Sequence, residues 1–185
     1  MDETLAAELR ALLDKQAITE VILRYSRAVD RGDEALLRAC YHDDAVEDHG
    51  GSFLGPARDY IEAIRPALLS DRLMTHTVTN ILVELDGPDA ALSECYYLSF
   101  ARYPAAEPPF ETLTLARAID RFERRDGIWR IARRQLRWEW NREQPIAETW
   151  ARGGIGDPAI LLRGGKKPDD ALYAARTDGA KTSPA

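Results

Sequence analysis

Apolar residues recur at intervals of three and four through the first thirty positions: Leu9, Leu12 and Leu13, then Ile18, Val21, Ile22, Tyr25 and Val29. That spacing predicts one long amphipathic helix over residues 3–30, with a single stripe turned to a core. Arg31-Gly32-Asp33 breaks the pattern, and Asp33 suits the N-cap of a short helix carrying Leu36, Leu37 and Cys40. The stretch HDDAVEDHGGSFLGP, residues 42–56, reads as turn-rich with one weak strand, ended by Gly55 and Pro56. A further helix is predicted over 57–69, with Tyr60, Ile61, Ile64 and Leu68 in register.

From Met74 the period changes to two. His76, Val78, Asn80 and Leu82 alternate with Thr77, Thr79, Ile81, Val83 and Leu85, a strand pattern rich in branched residues. Asp86-Gly87-Pro88-Asp89 turns the chain into a second strand, ALSECYYLSFARY, and PAAEPP at 104–109 is a loop. Residues 112–140 then read as two long strands joined at Asp126-Gly127, a pair suited to a two-residue type I′ hairpin. Beyond Trp140 glycines, prolines and charges accumulate, and residues 164–185 read as a mobile tail. Helices first and strands last imply an α+β domain over residues 1–150, followed by a partly disordered C-terminal extension over 151–185. A curved antiparallel sheet wrapped round the helices makes a cone, and a cone has a mouth.

Composition narrows the function. The 185 residues are 45% hydrophobic and 30% charged, as expected of one globular domain able to bury a core. A net charge of −6 and a pI of about 5.2 disfavour nucleic acid or an anionic membrane as partner. The opening MDETLAAELRALL carries acids where a secretory signal carries bases, and no apolar run approaches membrane-spanning length, so a cytoplasmic location is expected. Cys40 and Cys95 belong to no CxxC pair and are expected to be reduced packing residues.

The acidic stretch invites a metal reading through His42, Asp43, Asp44, Glu47, Asp48 and His49. Its spacing fits neither an EF-hand loop nor an HExxH helix, and the preferred expectation is a solvated turn with Asp48 and His49 at a pocket edge and no metal. The chain contains no glycine-rich phosphate loop, nucleotide fingerprint or nucleophile elbow.

Four strings, ITEVILRYSRAVDRGD, YHDDAVEDHG, THTVTN and FERRDGIWRIARR, span most of residues 10–140. In order and spacing the chain resembles the SnoaL-like branch of the nuclear transport factor 2-like superfamily, whose fold is a cone-shaped, cystatin-like α+β barrel. Within it the pattern is similar to the scytalone dehydratase, hexachlorocyclohexane dehydrochlorinase and bile acid 7α-dehydratase group. The resemblance implies a cofactor-independent lyase in which an aspartate closing the early helix bonds a histidine on the first long strand, and the histidine acts as base. Those positions are Asp30 and His76; Tyr25 and Arg134 complete the implied catalytic set. Where the dehydrochlorinase has lysine this chain has Tyr25, which leans toward the dehydratases. Scytalone dehydratase uses a second histidine on a later strand; here none follows His76, so its role falls to Tyr96, Tyr97 or His49, or is absent.

A carboxylate-oriented imidazole takes a proton near neutral pH, and a phenol or guanidinium can hold the negative charge that develops on oxygen. Tyr25, Tyr41 and Arg134 are the candidates for that charge, and His49 for the acid that protonates a departing hydroxyl; Tyr41, His49, Tyr97 and Asp48 form the expected substrate-binding set. Strand parity groups Arg134 with Ala132, Leu136 and Trp138, opposite Trp129 and Ile131, so its direction depends on which face is concave and on any bulge. The expected reaction is dehydration of a hydrophobic aromatic or polycyclic hydroxylated small molecule. The same dyad also suits a retro-aldol lyase releasing an aldehyde or an isomerase. A further alternative is a non-catalytic module such as the small subunit of a ring-hydroxylating dioxygenase, and a weaker one a polyketide-type cyclase. Relatives cover their sheet by self-association, so a homotrimer, or alternatively a homodimer, is expected, with Trp138, Trp140 and Trp150 suited either to that interface or to packing of the C-terminal segment.

Overall fold

Asp2 caps the first helix, its carboxylate accepting from the Thr4 N–H at 3.2 Å, and α1 then runs unbroken from Glu3 to Arg31. At 29 residues it is about 43 Å long, and its first turns extend past the buried core. Leu9, Leu12 and Leu13, expected on the core stripe, are therefore exposed, Leu12 by 64%, whereas Ile18, Val21, Ile22 and Tyr25 are buried. Gly32 ends the helix in the left-handed region at φ 66°, where a Cβ would stand 2.9 Å from the Leu68 carbonyl. Only glycine permits this close approach. Asp33 caps α2 (Glu34–Ala39) as expected, accepting from Leu36 N–H at 3.2 Å.

In the computed structural model, residues 2–148 and 158–181 are described. The elements that follow α2 are β1 (Tyr41–Asp48), β2 (Leu54–Pro56), α3 (Ala57–Leu69), β3 (Met74–Leu85), β4 (Ala90–Tyr103), β5 (Phe110–Arg125), β6 (Ile128–Pro145) and α4 (Ala171–Lys181). The six strands form one curved, unclosed sheet in the order β2-β1-β6-β5-β4-β3. The stretch read as one weak strand supplies two, and β1 lies parallel to β6, an exception in an otherwise antiparallel sheet. Its start is fixed by the Ile131 N–H donating to the Cys40 carbonyl at 2.9 Å. At the β5–β6 hairpin Asp126 and Gly127 both have positive φ, 52° and 77°, the type I′ signature.

Register shifts along β3 and β6 place the side chains. Asn80, at φ 53°, sits in the shift between Thr79 and Leu82 on β3. His76 and Val78 above it and Ile81, Val83 and Leu85 below it therefore share the inner face, although strict alternation puts them on opposite faces. On β6 Arg133 pairs Arg121 while Ile131 pairs Phe122, leaving Ala132 as the extra residue. Trp129, Ile131, Arg134 and Leu136 consequently all turn inward and are buried. A second shift, at Glu139, sends Trp138 inward and Trp140 outward.

The core lies between the concave face and α1 and α3, with Ile18, Ile22, Ile61, Phe122 and Ile131 essentially inaccessible. Cys40 and Cys95 are free and buried, and burial pushes both thiols up to about 11. Part of the stretch read as a mobile tail has definite partners. Lys166 Nζ donates to the carbonyls of Ala67, Leu68 and Ser70 at 2.7–3.2 Å, filling acceptors that the end of α3 leaves open. Lys167 and Tyr173 both bond the Asp33 carboxylate, at 3.1 and 2.6 Å. Trp150 lies outside the described residues. Among the described residues no helix is long and apolar enough to cross a membrane.

Candidate active site

The open end of the cone leads to a cavity of about 330 Å³. Its rungs follow the strand pairing. Met74 faces Ala101, which faces Thr112; deeper come His76, Ser99 and Thr114, then Val78, Tyr97 and Ala116. Helices α1 and α3 close it with Tyr25, Val29, Tyr60, Ile64 and Leu68, while Leu136 and Trp138 of β6 complete the wall.

The last turn of α1 brings Asp30 against β3. Its Oδ2 accepts from the His76 backbone N–H at 2.9 Å and its Oδ1 bonds His76 Nδ1 at 2.6 Å. Both oxygens are thus committed to one residue, so ring and backbone are held together. With Asp30 ionised, Nδ1–H donates and Nε2 keeps its lone pair, for which the described residues offer no partner. His76 lines the cavity and is 14% exposed at the side chain.

At the inner end, Arg134 is fully buried. Its Nε and Nη2 donate to the two Asp120 oxygens at 2.8 and 2.6 Å, and Nη2 also reaches Tyr97 Oη at 3.2 Å. The guanidinium lies 3.8 Å over the Tyr25 ring, a cation–π contact strengthened by desolvation. Burial works against its charge, but Asp120, Tyr97 and Tyr41 outweigh this and hold its pKa well above the ordinary arginine value. Among the described residues Nη1 has no hydrogen-bond partner.

The parity of β1 turns Ala45 and Glu47 inward and carries His49 onto the cavity wall. Glu47, completely buried, was not singled out as a site residue by the sequence, yet it holds a second carboxylate–imidazole pair: Oε1 bonds His49 Nδ1 at 2.7 Å and Oε2 accepts from Tyr41 Oη at 2.7 Å. Tyr60 Oη lies 3.3 Å from His49 Nε2, and the two rings stack at 4.6 Å. The alternation Ala45-Glu47-His49 was the available signal. Gly50 follows at φ 60°, where a Cβ would fall 2.7 Å from the Trp138 indole nitrogen; that nitrogen donates to the Gly50 carbonyl at 3.1 Å.

Of the residues expected at the site, His76, Tyr25, Arg134, His49 and Tyr97 line the cavity, with Asp30 directly behind His76. Two do not, and one alternative is set aside. Tyr41 stands behind the wall as the partner of Glu47, its ring edge-on to Tyr25 at 6.0 Å. Asp48, one residue out of phase with Glu47, faces away and pairs with Arg137 at 3.1 Å. Tyr96 is likewise out of phase with the cavity-lining Tyr97. Burial raises the pKa of Tyr25, Tyr41, Tyr60 and Tyr97, so all four stay O–H donors at neutral pH. His42 is tied to the Glu123 carbonyl at 2.9 Å, and among the described residues no group of three or more His, Cys, Asp or Glu side chains could hold a metal ion.

The family model for the SnoaL-like domain matches residues 10–135. The chain belongs to the SnoaL-like family. Solved structures place it beside other members of this fold. A hexachlorocyclohexane dehydrochlorinase of type 2 shares 21% identity at a TM-score of 0.68, covering 83% of this chain and 99% of its own. A provisionally assigned scytalone dehydratase from Novosphingobium aromaticivorans shares 20% at 0.65, covering 88% and 97%. A nuclear transport factor 2-like protein with a cystatin-like fold, also from N. aromaticivorans, shares 27% at 0.63, covering 74% and 90%. Among curated proteins none matches the chain. The SnoaL-like match ends before Arg137, so the end of β6 and the segment bearing Lys166 are additions to the matched region.

Proposed function

We propose that this SnoaL-like protein is a cofactor-independent lyase, dehydratase-like, that acts on a hydrophobic hydroxylated ring compound with His76 as general base. The observation that carries this reading is the clamp on His76: Asp30 fixes Nδ1 at 2.6 Å and leaves Nε2 as a free acceptor on the wall of a largely apolar cavity. Nε2 takes a proton from carbon beside a carbonyl, and the electron pair moves onto the carbonyl oxygen. Arg134, through its unpartnered Nη1, and the Tyr25 hydroxyl hold that oxyanion. Tyr97, already bonded to Arg134, positions the guanidinium. The β-hydroxyl leaves as water with a proton from His49, whose protonated form Glu47 stabilises. The same dyad would serve a retro-aldol cleavage, in which the bond broken is carbon–carbon.

A positioned base contributes ~10²- to 10⁴-fold. Incubation with a panel of cyclic β-hydroxy ketones, with loss of water followed by mass spectrometry, tests the assignment. His76→Ala should remove turnover by that factor with an unchanged melting temperature; full activity in the variant refutes the base. We also propose that the chain self-associates as a homotrimer through the outer sheet face, where Leu98 pairs Leu115 and Leu115 pairs the 46% exposed Trp140. Light scattering should give three copies for the native chain and a smaller particle for Trp140→Glu.

A further inference from the structure

We propose that the mouth of the cavity carries an anion subsite, built on Arg72 and backed by Lys166, and that the substrate is a ring compound bearing a carboxylate. This deepens the lyase reading by naming its substrate class.

The argument starts from charge balance along the wall. Arg134 has Asp120, His76 has Asp30 and His49 has Glu47, each within 2.7 Å. Arg72 and Lys166 also line the cavity, and among the described residues neither has a carboxylate within ion-pair distance. Arg72 is half-buried; it reaches only Tyr103 Oη at 3.4 Å and Met74 Sδ at 3.9 Å, both at the weak limit of hydrogen bonding. Its Nε is buried with no partner among the described residues. A guanidinium presents a planar fork of donors matched to a carboxylate, and an orphaned donor in such a fork is costly unless a ligand fills it. Lys166 is already committed to three carbonyls, so it contributes field rather than a bond. Burial and the nearby Arg72 lower its pKa, and an arriving anion would relieve that repulsion.

Geometry sets where the anion sits relative to the chemistry. Arg72 lies just before β3, four residues from His76 along the chain. Arg72, Met74 and His76, at alternate positions, all line the cavity. A substrate whose carboxylate meets Arg72 would thus present carbon deeper in the cavity to His76. Tyr103, whose ring lies 5.3 Å from the Arg72 guanidinium carbon, holds the fork in place at the rim.

The test compares two probes of one shape, 2-naphthoate and 2-naphthol, by fluorescence or calorimetric titration of the full chain. Wild type should bind the naphthoate at least ~10-fold more tightly, with the margin shrinking as salt is raised. Arg72→Gln should erase the margin while leaving the naphthol dissociation constant unchanged, and Arg72→Lys should restore part of it. Equal affinities in wild type, a margin that survives Arg72→Gln, parallel weakening of both probes, or no naphthoate binding would each overturn the proposal. Binding does not require turnover: a fully active His76→Ala variant would sink the base assignment and leave this contrast standing.

Discussion

The cavity holds two carboxylate–imidazole pairs of nearly equal length, 2.6 Å for Asp30–His76 and 2.7 Å for Glu47–His49, and they differ in what surrounds them. Asp30 gives both oxygens to His76, one to the ring and one to the backbone, and the far nitrogen of His76 is left free. Glu47 divides its oxygens between His49 and Tyr41, and the far nitrogen of His49 already meets Tyr60. A free nitrogen is ready to accept a proton from a ligand; one bonded to a phenol must exchange that bond first. Under the proposed mechanism the same two functional groups would serve as a base in one place and as a buttressed acid in the other, a difference set by their neighbours rather than by the pair itself.

The sharpest way to break that contrast is to mutate the two carboxylates separately. Asp30→Asn should cut turnover on the order of 10³- to 10⁴-fold, because an amide facing Nδ1 stabilises the tautomer that lacks a lone pair on Nε2. Steady-state kinetics beside a thermal melt would separate this from unfolding. Asp120→Ala is a stability control outside both pairs: it strands a buried guanidinium, at a cost of about 3–5 kcal/mol read from denaturant unfolding. Glu47→Gln should cost less, about 1–3 kcal/mol, since the amide keeps one acceptor oxygen for Tyr41 or His49 and turns an N–H donor toward the other. Turnover should fall less than in Asp30→Asn, and an equal fall would erase the distinction drawn here.

The smallest effect concerns the C-terminal segment, whose Lys166 and Lys167 bond the end of α3 and Asp33. Burial works against the Asp33 charge, yet bonds from Tyr173, the Leu36 N–H and Lys167 outweigh it and lower its pKa below the ordinary 3.8. A depressed carboxyl stabilises the folded form above its ordinary value and ceases to do so as pH falls through the folded value. Protection from hydrogen exchange in residues 166–176 should therefore weaken selectively as pH drops below 3.8, by an amount worth under about 1 kcal/mol, and by less in Asp33→Asn.

Helix positions and the meeting of Asp30 with His76 were legible because each rests on a local signal: three-and-four spacing in α1, alternation in β3, and a family pattern joining the two. The facing of residues past each bulge was not. Asn80, Ala132 and Glu139 each add one residue to a strand, and alternation counted through them assigns the wrong face to Val83, to Ile131 relative to Arg134, and to Trp140 relative to Trp138. Asp48 and Glu47 show the converse: alternation holds there, but in a run of acids nothing in residue type distinguishes the one that turns inward. The docking of Lys166 on α3 depends on carbonyls freed by a helix end in a distant part of the chain, which no local pattern announces.

Position 50 has a consequence for how wide the cavity can be. Because Gly50 leaves room for the Trp138 indole to lie over its backbone, that ring, 51% exposed, leans against His49 at 5.6 Å and forms one jamb of the doorway. A single methyl group there would meet both a disfavoured φ and the indole nitrogen, and the cheapest escape is for the ring to swing outward. The smallest side chain in the segment thereby sets the gauge of the entrance, and the size of molecule admitted can change without touching any group that handles a proton.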